Sequence, residues 1–225
     1  PFDEIVLLAK DQSLSVDAKR FEELEEEAKE RSRGQKKTHQ QIAGENPFEK
    51  FAHEKGSTQF LGYNELSSPA RVVGIVKEGR FIESISAGEE AEIILDKSPF
   101  YAEMGGQVGD TGSITASNAL FEVRDCKAPF KGIIGHIGAL KSGSIVLGKE
   151  VTASVNKERR LKIQNNHTAT HLLHFALEQV LGKHIKQAGS VVDDERLRFD
   201  FTHHKALTKE EIRKIEDLVN NKIRQ

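Results

Sequence analysis

The stretch VTASVNKERRLKIQNNHTATHLLHFALEQVLG, residues 151–182, contains a change in the periodicity of the chain. Its first five residues form a short β-branched run, whereas apolar side chains after Asn156 recur at helical spacing until Gly182. The stretch therefore predicts a strand that leads into a long helix over residues 157–181. The buried stripe of this helix is predicted to consist of Ile163, Ala169, Leu173, Ala176 and Val180.

Upstream, residues 60–156 alternate between β-branched runs and glycine-rich turns, which is typical of a small antiparallel β-barrel. Among these runs lies a loop, residues 98–112, that is rich in glycine. It does not resemble a phosphate-binding loop, because it lacks Gly-Lys-Ser/Thr and a strand is expected after it. Tight turns within the barrel and a loop that approaches a ligand or an RNA end both remain open. The predicted barrel strands are residues 72–76, 81–85, 91–95, 120–123, 133–137 and 151–155.

The first fifty residues are predicted to be helical and then linker-like. Phe21, Leu24 and Ala28 recur at helical spacing over residues 17–33, and Gly34 is a plausible end of the helix. The apolar stripe is narrow, which favours a solvated helix that leans on a neighbour.

Downstream of the long helix, the pattern predicts a hairpin and a final helix. Residues 191–192 precede an acidic turn, after which Leu197, Phe199 and Phe201 alternate with polar residues in the manner of a half-buried strand. Residues 208–211 have the sequence of a capping box. The inner face of the helix that follows is predicted to carry Ile212, Ile215, Val219 and Ile223.

The composition excludes several classes of protein. The 33 basic and 35 acidic side chains exclude a uniformly basic nucleic-acid coat, although residues 156–225 carry 14 basic against 10 acidic side chains and six of the nine histidines. No apolar run approaches the roughly 20 residues that cross a bilayer. Cys126 is the only cysteine, so an internal disulfide is excluded and a reducing, cytoplasmic location is expected. The single methionine is Met104 and the chain begins at Pro1, so we expect a piece of a longer protein.

The clearest chemical signal is the motif formed by His167 and His171. A spacing of four residues places both imidazoles on one face of a helix, as a zinc site requires. Thr168 stands where metalloproteases have their general base, so protease chemistry is not expected. Histidines at the surface or core edge are the open alternative, and His174 is expected to be a packed neighbour.

The two histidines do not by themselves complete a catalytic zinc site, which usually has three protein ligands. Cys126 lies far away along the chain. His203 and His204 are poor candidates, because adjacent residues on an extended chain point in opposite directions.

Basic residues cluster at the start of the long helix and follow its end. Such residues suit phosphate contacts that carry no sequence specificity and depend strongly on salt. A solvated helix end is the alternative. The candidate phosphate contacts are Lys157, Arg159, Arg160, Lys162, Lys183 and Lys186.

Several of these motifs, in this order, resemble the alanyl-tRNA synthetase family. HTATHLLH (residues 167–174), QAGS (187–190) and LRFDFTH (197–203) resemble the editing region of that family. PFYAEMGGQVGDTG (99–112) resembles its barrel loop, and LSVD (14–17) resembles the segment that leads in from the synthetase body. The resemblance spans essentially the whole chain.

The resemblance implies roles for three residues. His167 and His171 match the first two zinc ligands of the family, and Gln187 matches a position near the editing pocket. The remaining ligands come from a Cys-x-x-x-His motif after the final helix, beyond Gln225, so the expected site is truncated. We expect weak or no zinc binding and no deacylation of seryl-tRNA from the region alone.

The implied fold is a multi-part α+β arrangement. Residues 1–50 form a helical lead-in, residues 51–156 an antiparallel β-barrel, and residues 157–225 the first part of an editing core. This core is similar to the second additional domain of threonyl- and alanyl-tRNA synthetases.

The implied activity is proofreading. The whole enzyme attaches alanine to tRNA(Ala), with ATP and Mg²⁺ used in an aminoacylation domain outside this chain, while this region hydrolyses Ser-tRNA(Ala) and Gly-tRNA(Ala) with Zn²⁺. The expected partners are the acceptor end of tRNA(Ala), alanine, serine and glycine, and neither membrane nor DNA. The alternatives are a non-catalytic RNA- or protein-binding module with structural histidines, and a free-standing trans-editing deacylase, which the helical lead-in disfavours.

Overall fold

The computed structural model describes residues 46–224, together with Asp17, Arg20 and Phe21. The chain divides into two units, Pro1–Glu45 and Asn46–Gln225, and the features below belong to the second. The helix predicted over residues 17–33 falls almost wholly outside the described residues, among which Arg20 and Phe21 are helical.

The described part begins with helix α1, Pro47–Lys55. The side chain of Asn46 caps it by accepting a hydrogen bond from the amide of Phe48, and Pro47 occupies the first turn, where its missing N–H costs nothing. Phe51 is buried in a small apolar cluster with Val76 and other residues on the outside of the sheet. Helix α1 thus packs against the barrel from outside.

Most of the remaining structure up to residue 155 consists of strands. The barrel strands are β2 (Ser67–Lys77), β5 (Glu90–Leu95), β7 (Gly112–Ala116), β8 (Ala119–Phe130), β9 (Ile133–Ser142) and β11 (Glu150–Val155). The short strands are β1 (Gln59–Phe60), β3 (Arg80–Phe81), β4 (Ser84–Ser86), β6 (Lys97–Ser98) and β10 (Ser144–Val146).

The six long strands close into an antiparallel barrel. Their order is β11-β7-β8-β9-β5-β2, and β2 pairs back onto β11, which removes the free edges of the sheet. Along β8, buried Ala119, Phe121 and Val123 alternate with exposed neighbours, which is the period-two pattern of a strand with one face in the core. The small antiparallel barrel predicted from the sequence is therefore confirmed.

One predicted barrel strand is wrong. Residues 81–85 do not form a single strand but divide between β3, which pairs with the end of β2, and β4, which pairs with β10. Strand β3 follows a tight turn at Glu78 and Gly79, both with positive φ, and two residue pairs join it to β2. Ile85 lies on β4, which is not one of the six barrel strands, but its side chain is buried in the barrel core. The sixth barrel strand is instead β7, the strand expected after the glycine-rich loop.

The barrel leads directly into helix α2, Lys157–Leu181, with the predicted bounds. The side chain of Asn156 caps the helix by accepting a hydrogen bond from the amide of Arg159, and the helix ends at Gly182. The hairpin of β12 (Gln187–Val192) and β13 (Leu197–Phe201) is also confirmed.

The last helix, α3, spans Lys209–Ile223 and begins with the predicted capping box at Thr208. Ile215 is buried against α2 and the hairpin in a second apolar core that also contains Ala176 and Leu177. Ile212 and Ile223 are exposed, so their assignment to the inner face is wrong. Leu218 packs onto this core beside Val219. Among the described residues, no helix combines the length and the apolar character that a bilayer span requires.

Candidate functional site

The histidine pair lies on helix α2, and the structure brings its two members together. The ring centroids of His167 and His171 are 5.0 Å apart, with the ring planes tilted by 37°. His167 is half-buried and His171 is exposed. Both imidazoles therefore face one side of the helix, with His171 accessible from solvent.

A barrel residue, Gln107, orients the ring of His167. The distance from Nδ1 of His167 to Oε1 of Gln107 is 2.6 Å. Because an amide oxygen only accepts hydrogen bonds, Nδ1 carries the proton and Nε2 keeps a free lone pair. Metal-binding histidines are usually held in this way by a second residue. Sequence reasoning missed Gln107, although it lies in the glycine-rich loop that carries part of the family resemblance.

The glycine-rich loop docks on the hairpin as well as on the helix. The amide of Val108 donates to the carbonyl of Val192 at 3.1 Å, and the amide of Val192 donates to Gly106 at 2.8 Å. Gly106 has a φ of 84°, and a Cβ there would overlap the carbonyl oxygen of Ser190. The loop therefore contributes turns to the barrel and also packs against the hairpin, while Gln107 joins it to the helix that carries the histidine pair.

The structure corrects the position predicted for Arg160. Its guanidinium is buried and forms an ion pair with Asp110, which is also buried. It donates further hydrogen bonds to the carbonyls of Gly62, at 2.9 Å, and Pro99, at 2.8 Å. An arginine whose donors are all directed into the protein has no group left for a phosphate. Arg160 therefore joins helix α2 to the barrel and is removed from the set of candidate phosphate contacts.

The other predicted cations differ in their surroundings. Arg159 is partly buried, with Nε 3.0 Å from Asp194 and Nη1 2.8 Å from the carbonyl of Gly109. Lys162, Lys183 and Lys186 are exposed. The structure does not bring all three lysines together, because the helix rises by about 28 Å between residue 162 and its end at residue 181.

Gln187 stands at the start of β12 and is exposed. Its Nε2 donates to the hydroxyl of Ser190 at 3.2 Å. Ser190 in turn lies against Gly106 of the docked loop. The structure thus links Gln187 to the loop through Ser190, and no described hydrogen bond joins Gln187 directly to the histidine pair.

Cys126 and His174 are both placed as the sequence suggested. Cys126 is buried in the barrel core, and desolvation together with the nearby carboxylates of Asp110 and Asp125 raises the pKa of its thiol well above the usual value. This environment disfavours the thiolate that a metal needs. His174 packs against Phe199 with ring centroids 5.1 Å apart.

The orientation expected for His203 and His204 is wrong. Strand β13 ends at Phe201 and the chain bends after it, so the two rings converge with centroids 4.7 Å apart. Burial lowers the pKa of His203, and the neighbouring imidazoles of His204 and His184 lower it further. Residues adjacent in sequence therefore point to the same side here.

Comparison with known proteins agrees with the motifs. The profile of the family described as "tRNA synthetases class II (A)" matches residues 1–159. The chain is 47% identical over all 225 residues to "Alanine--tRNA ligase" of Chlamydia trachomatis serovar L2 and 48% identical to that of Chlamydia muridarum. The chain belongs to the alanyl-tRNA synthetase family. It spans 26% of the length of these two relatives. It is also 45% identical, over 99% of its residues, to "Alanine--tRNA ligase" of Acetivibrio thermocellus.

The profile and the relatives cover different parts of the site. The profile ends at Arg159 and so includes Gln107 and the barrel but not the histidine pair. The alanyl-tRNA synthetase relatives extend over the histidine pair and Gln187 as well. Gln107 and His167 therefore both lie within the region that matches these relatives.

Proposed function

We propose that this chain is the proofreading region of an alanine–tRNA ligase. The support is the family membership and the identity with alanine–tRNA ligases along the whole chain. In the proposed enzyme, attachment of alanine to tRNA(Ala) with ATP and Mg²⁺ takes place in a separate synthetase domain in the cytoplasm. Residues 1–50 lead in from that domain, residues 51–156 form the barrel, and residues 157–225 begin the editing core.

The proposed reaction is hydrolysis of the ester bond in Ser-tRNA(Ala) and Gly-tRNA(Ala). Glycine lacks the methyl group of alanine, and this difference changes the binding free energy in a pocket by only about 1–3 kcal/mol. An apolar pocket rejects the added hydroxyl of serine by a factor of about 10² at best. A second, hydrolytic site that accepts what the first site admits by error solves both problems.

The hydrogen bond from His167 to Gln107 is the observation that carries this proposal. It leaves Nε2 of His167 with a free lone pair, one helical turn from the exposed ring of His171. The residues present therefore fit the first two positions of a zinc site, and the resemblance assigns the others to a Cys-x-x-x-His motif after the last helix. A zinc ion held there would supply a Lewis acid that orients the misacylated amino acid or activates water.

The remaining residues of the site bind and position the substrate in this proposal. Gln187, hydrogen-bonded to Ser190, lines the pocket for the amino acid beside the docked loop. Exposed lysines contact the phosphates of the acceptor end without reading its sequence. These lysines are Lys162, Lys183 and Lys186.

The direct test is deacylation of Ser-tRNA(Ala) by the complete synthetase. We expect His167→Ala combined with His171→Ala to abolish deacylation while alanylation of tRNA(Ala) continues. His53→Ala is the matched control, because His53 is an exposed histidine on α1. Full deacylation by the double variant would refute the assigned role of the pair.

A further inference from the structure

A second histidine cluster lies beyond the C-terminal end of helix α2. His184 follows the helix, and His203 and His204 follow strand β13. Each of the three offers one ring nitrogen, and these nitrogens lie within 4.8 Å of one another. The helix rises by about 15 Å between residues 171 and 181, so this cluster is separate from the histidine pair.

The contact within the cluster is close to the spacing of a metal chelate. Nε2 of His184 and Nδ1 of His203 are 2.9 Å apart. Two nitrogens bound to one tetrahedral zinc at 2.0–2.1 Å lie about 3.4 Å apart, so a small rotation of either ring reaches that value. His184 and His204 are exposed, which leaves their side chains room for this adjustment.

The surroundings of the cluster contain one unsatisfied imidazole nitrogen and one neighbouring ion pair. Nε2 of His203 is buried and has no hydrogen-bond partner among the described residues, whereas Nδ1 of the same ring faces His184. Two charged side chains that act on His203, Lys205 and Glu211, pair with each other at 3.1 Å. Glu211 thus balances the charge of Lys205, while Lys183 and Lys186 flank His184 in the sequence and are exposed.

We propose that His184, His203 and His204 form a binding site for a divalent transition metal, with zinc as the physiological ion. An all-imidazole ligand set selects zinc, copper or nickel over magnesium and calcium. On binding, the metal replaces the hydrogen bond between His184 and His203, and the proton of that bond moves to the other nitrogen of its ring. The metal ties the loop after α2 to the end of β13 and so fixes the hairpin against the helix.

This second site changes how zinc stoichiometry must be measured. In the 225-residue chain the cluster offers three ligands, whereas the editing pair offers two, so the cluster is the tighter site. Loss of His167 and His171 alone then leaves one zinc ion bound. A stoichiometry measured on the double variant would report on the cluster and not on the proposed editing site.

The test is titration of Zn²⁺ into the 225-residue chain that carries His167→Ala and His171→Ala, in competition with a chromophoric chelator. We expect one zinc ion per chain. His184→Asn, His203→Asn and His204→Asn should each weaken binding at least about tenfold. His53→Asn is the matched control and should leave the affinity unchanged.

Thermal unfolding with and without Zn²⁺ provides a second readout. The midpoint should rise with zinc in the parent chain and remain constant in His184→Asn, because His184 is exposed and its replacement leaves the apolar core intact. Unchanged affinity in both His184→Asn and His204→Asn would overturn the proposal. Absence of zinc from the parent chain would overturn it too, and would leave the editing proposal to its own deacylation test.

Discussion

Oε1 of Gln107 accepts a hydrogen bond from Nδ1 of His167 at 2.6 Å, although sixty residues of sequence separate the two. The barrel thus sets the tautomer of a residue on helix α2. The loop that carries Gln107 is fixed at both sides, by its hydrogen bonds with Val192 and by the ion pair of Asp110 with Arg160. The position of the loop therefore depends on the packing of the barrel against helix α2 and the hairpin. The orientation of His167 in turn depends on the barrel, through Gln107.

Removal of the Gln107 amide should weaken metal binding at the histidine pair. We expect Gln107→Ala to lower the zinc affinity of the complete synthetase, with the cluster histidines replaced, by about 10–100-fold, since His167 loses the partner that fixes its tautomer. Gln107→Glu keeps an acceptor oxygen and should restore most of the affinity. Equal losses in the two variants would show that Gln107 acts by packing and not as an acceptor.

Gly106 should be intolerant of any side chain. Gly106→Ala places a Cβ onto the carbonyl of Ser190 and should lower the free energy of unfolding by about 2–3 kcal/mol, or detach the loop. Gly105→Ala is the matched control, because Gly105 also has positive φ but open space around it, and about 1 kcal/mol is expected there. Urea denaturation measures both variants, and equal effects would contradict the steric explanation.

The sequence predicts local elements well because their signals are local. Helix α2 has a cap at Asn156 and a stop at Gly182, so its bounds could be read directly. Arg159 and Arg160 look alike in the sequence, yet one lies near the surface and the other is buried, because successive helical residues point about 100° apart. Which of them faces the barrel depends on the fold.

Contacts across the chain could not be predicted from periodicity. Gln107–His167 and Asp110–Arg160 join residues fifty or more positions apart, and no local pattern encodes such a pairing. The convergence of His203 with His204 depends on a bend after β13 that the alternation of the strand does not reveal. The contacts that loops make with distant elements therefore could not be predicted from the sequence.

The buried ion pair should be essential for stability. Asp110→Ala leaves the guanidinium of Arg160 buried without a counterion and should cost about 3–5 kcal/mol in urea denaturation. Arg71→Ala is the control, because Arg71 and Glu150 form an exposed pair at 3.6 Å for which at most about 1 kcal/mol is expected. An Asp110→Ala protein as stable as the parent would contradict the role of this ion pair in joining helix α2 to the barrel.

Salt dependence should reveal the lysines that contact RNA. We expect Lys162→Ala to reduce the slope of log affinity against log salt for an acceptor-stem duplex by about 0.9 if it loses one phosphate contact. Lys183→Ala with Lys186→Ala should add to this effect, because the two ends of α2 are far apart. Lys131→Ala, on a barrel turn, is the control, and an unchanged slope in the triple variant would contradict the proposed contact.

A buried histidine in the barrel provides a pH-dependent term in stability. Nδ1 of His136 donates to the carbonyl of Ile93 at 2.8 Å, and Nε2 accepts from the hydroxyl of Ser98 at 2.7 Å. Both nitrogens are satisfied in the neutral ring. Burial lowers the pKa of His136 from 6.5 to about 4, against a smaller opposing effect of the Ile93 carbonyl.

The pKa of His136 fixes the direction of the effect. Between pH 6.5 and about 4, His136 is protonated in the unfolded chain but neutral in the native barrel. The contribution of neutral His136 to the free energy of unfolding is therefore complete above pH 6.5 and is lost as the pH falls through that window. We expect a loss of about 3 kcal/mol in the free energy of unfolding. His136→Gln should remove this part of the pH dependence in urea denaturation, whereas His53→Gln should retain it. Parallel pH profiles for the parent and His136→Gln would show that the ring titrates normally in the native barrel.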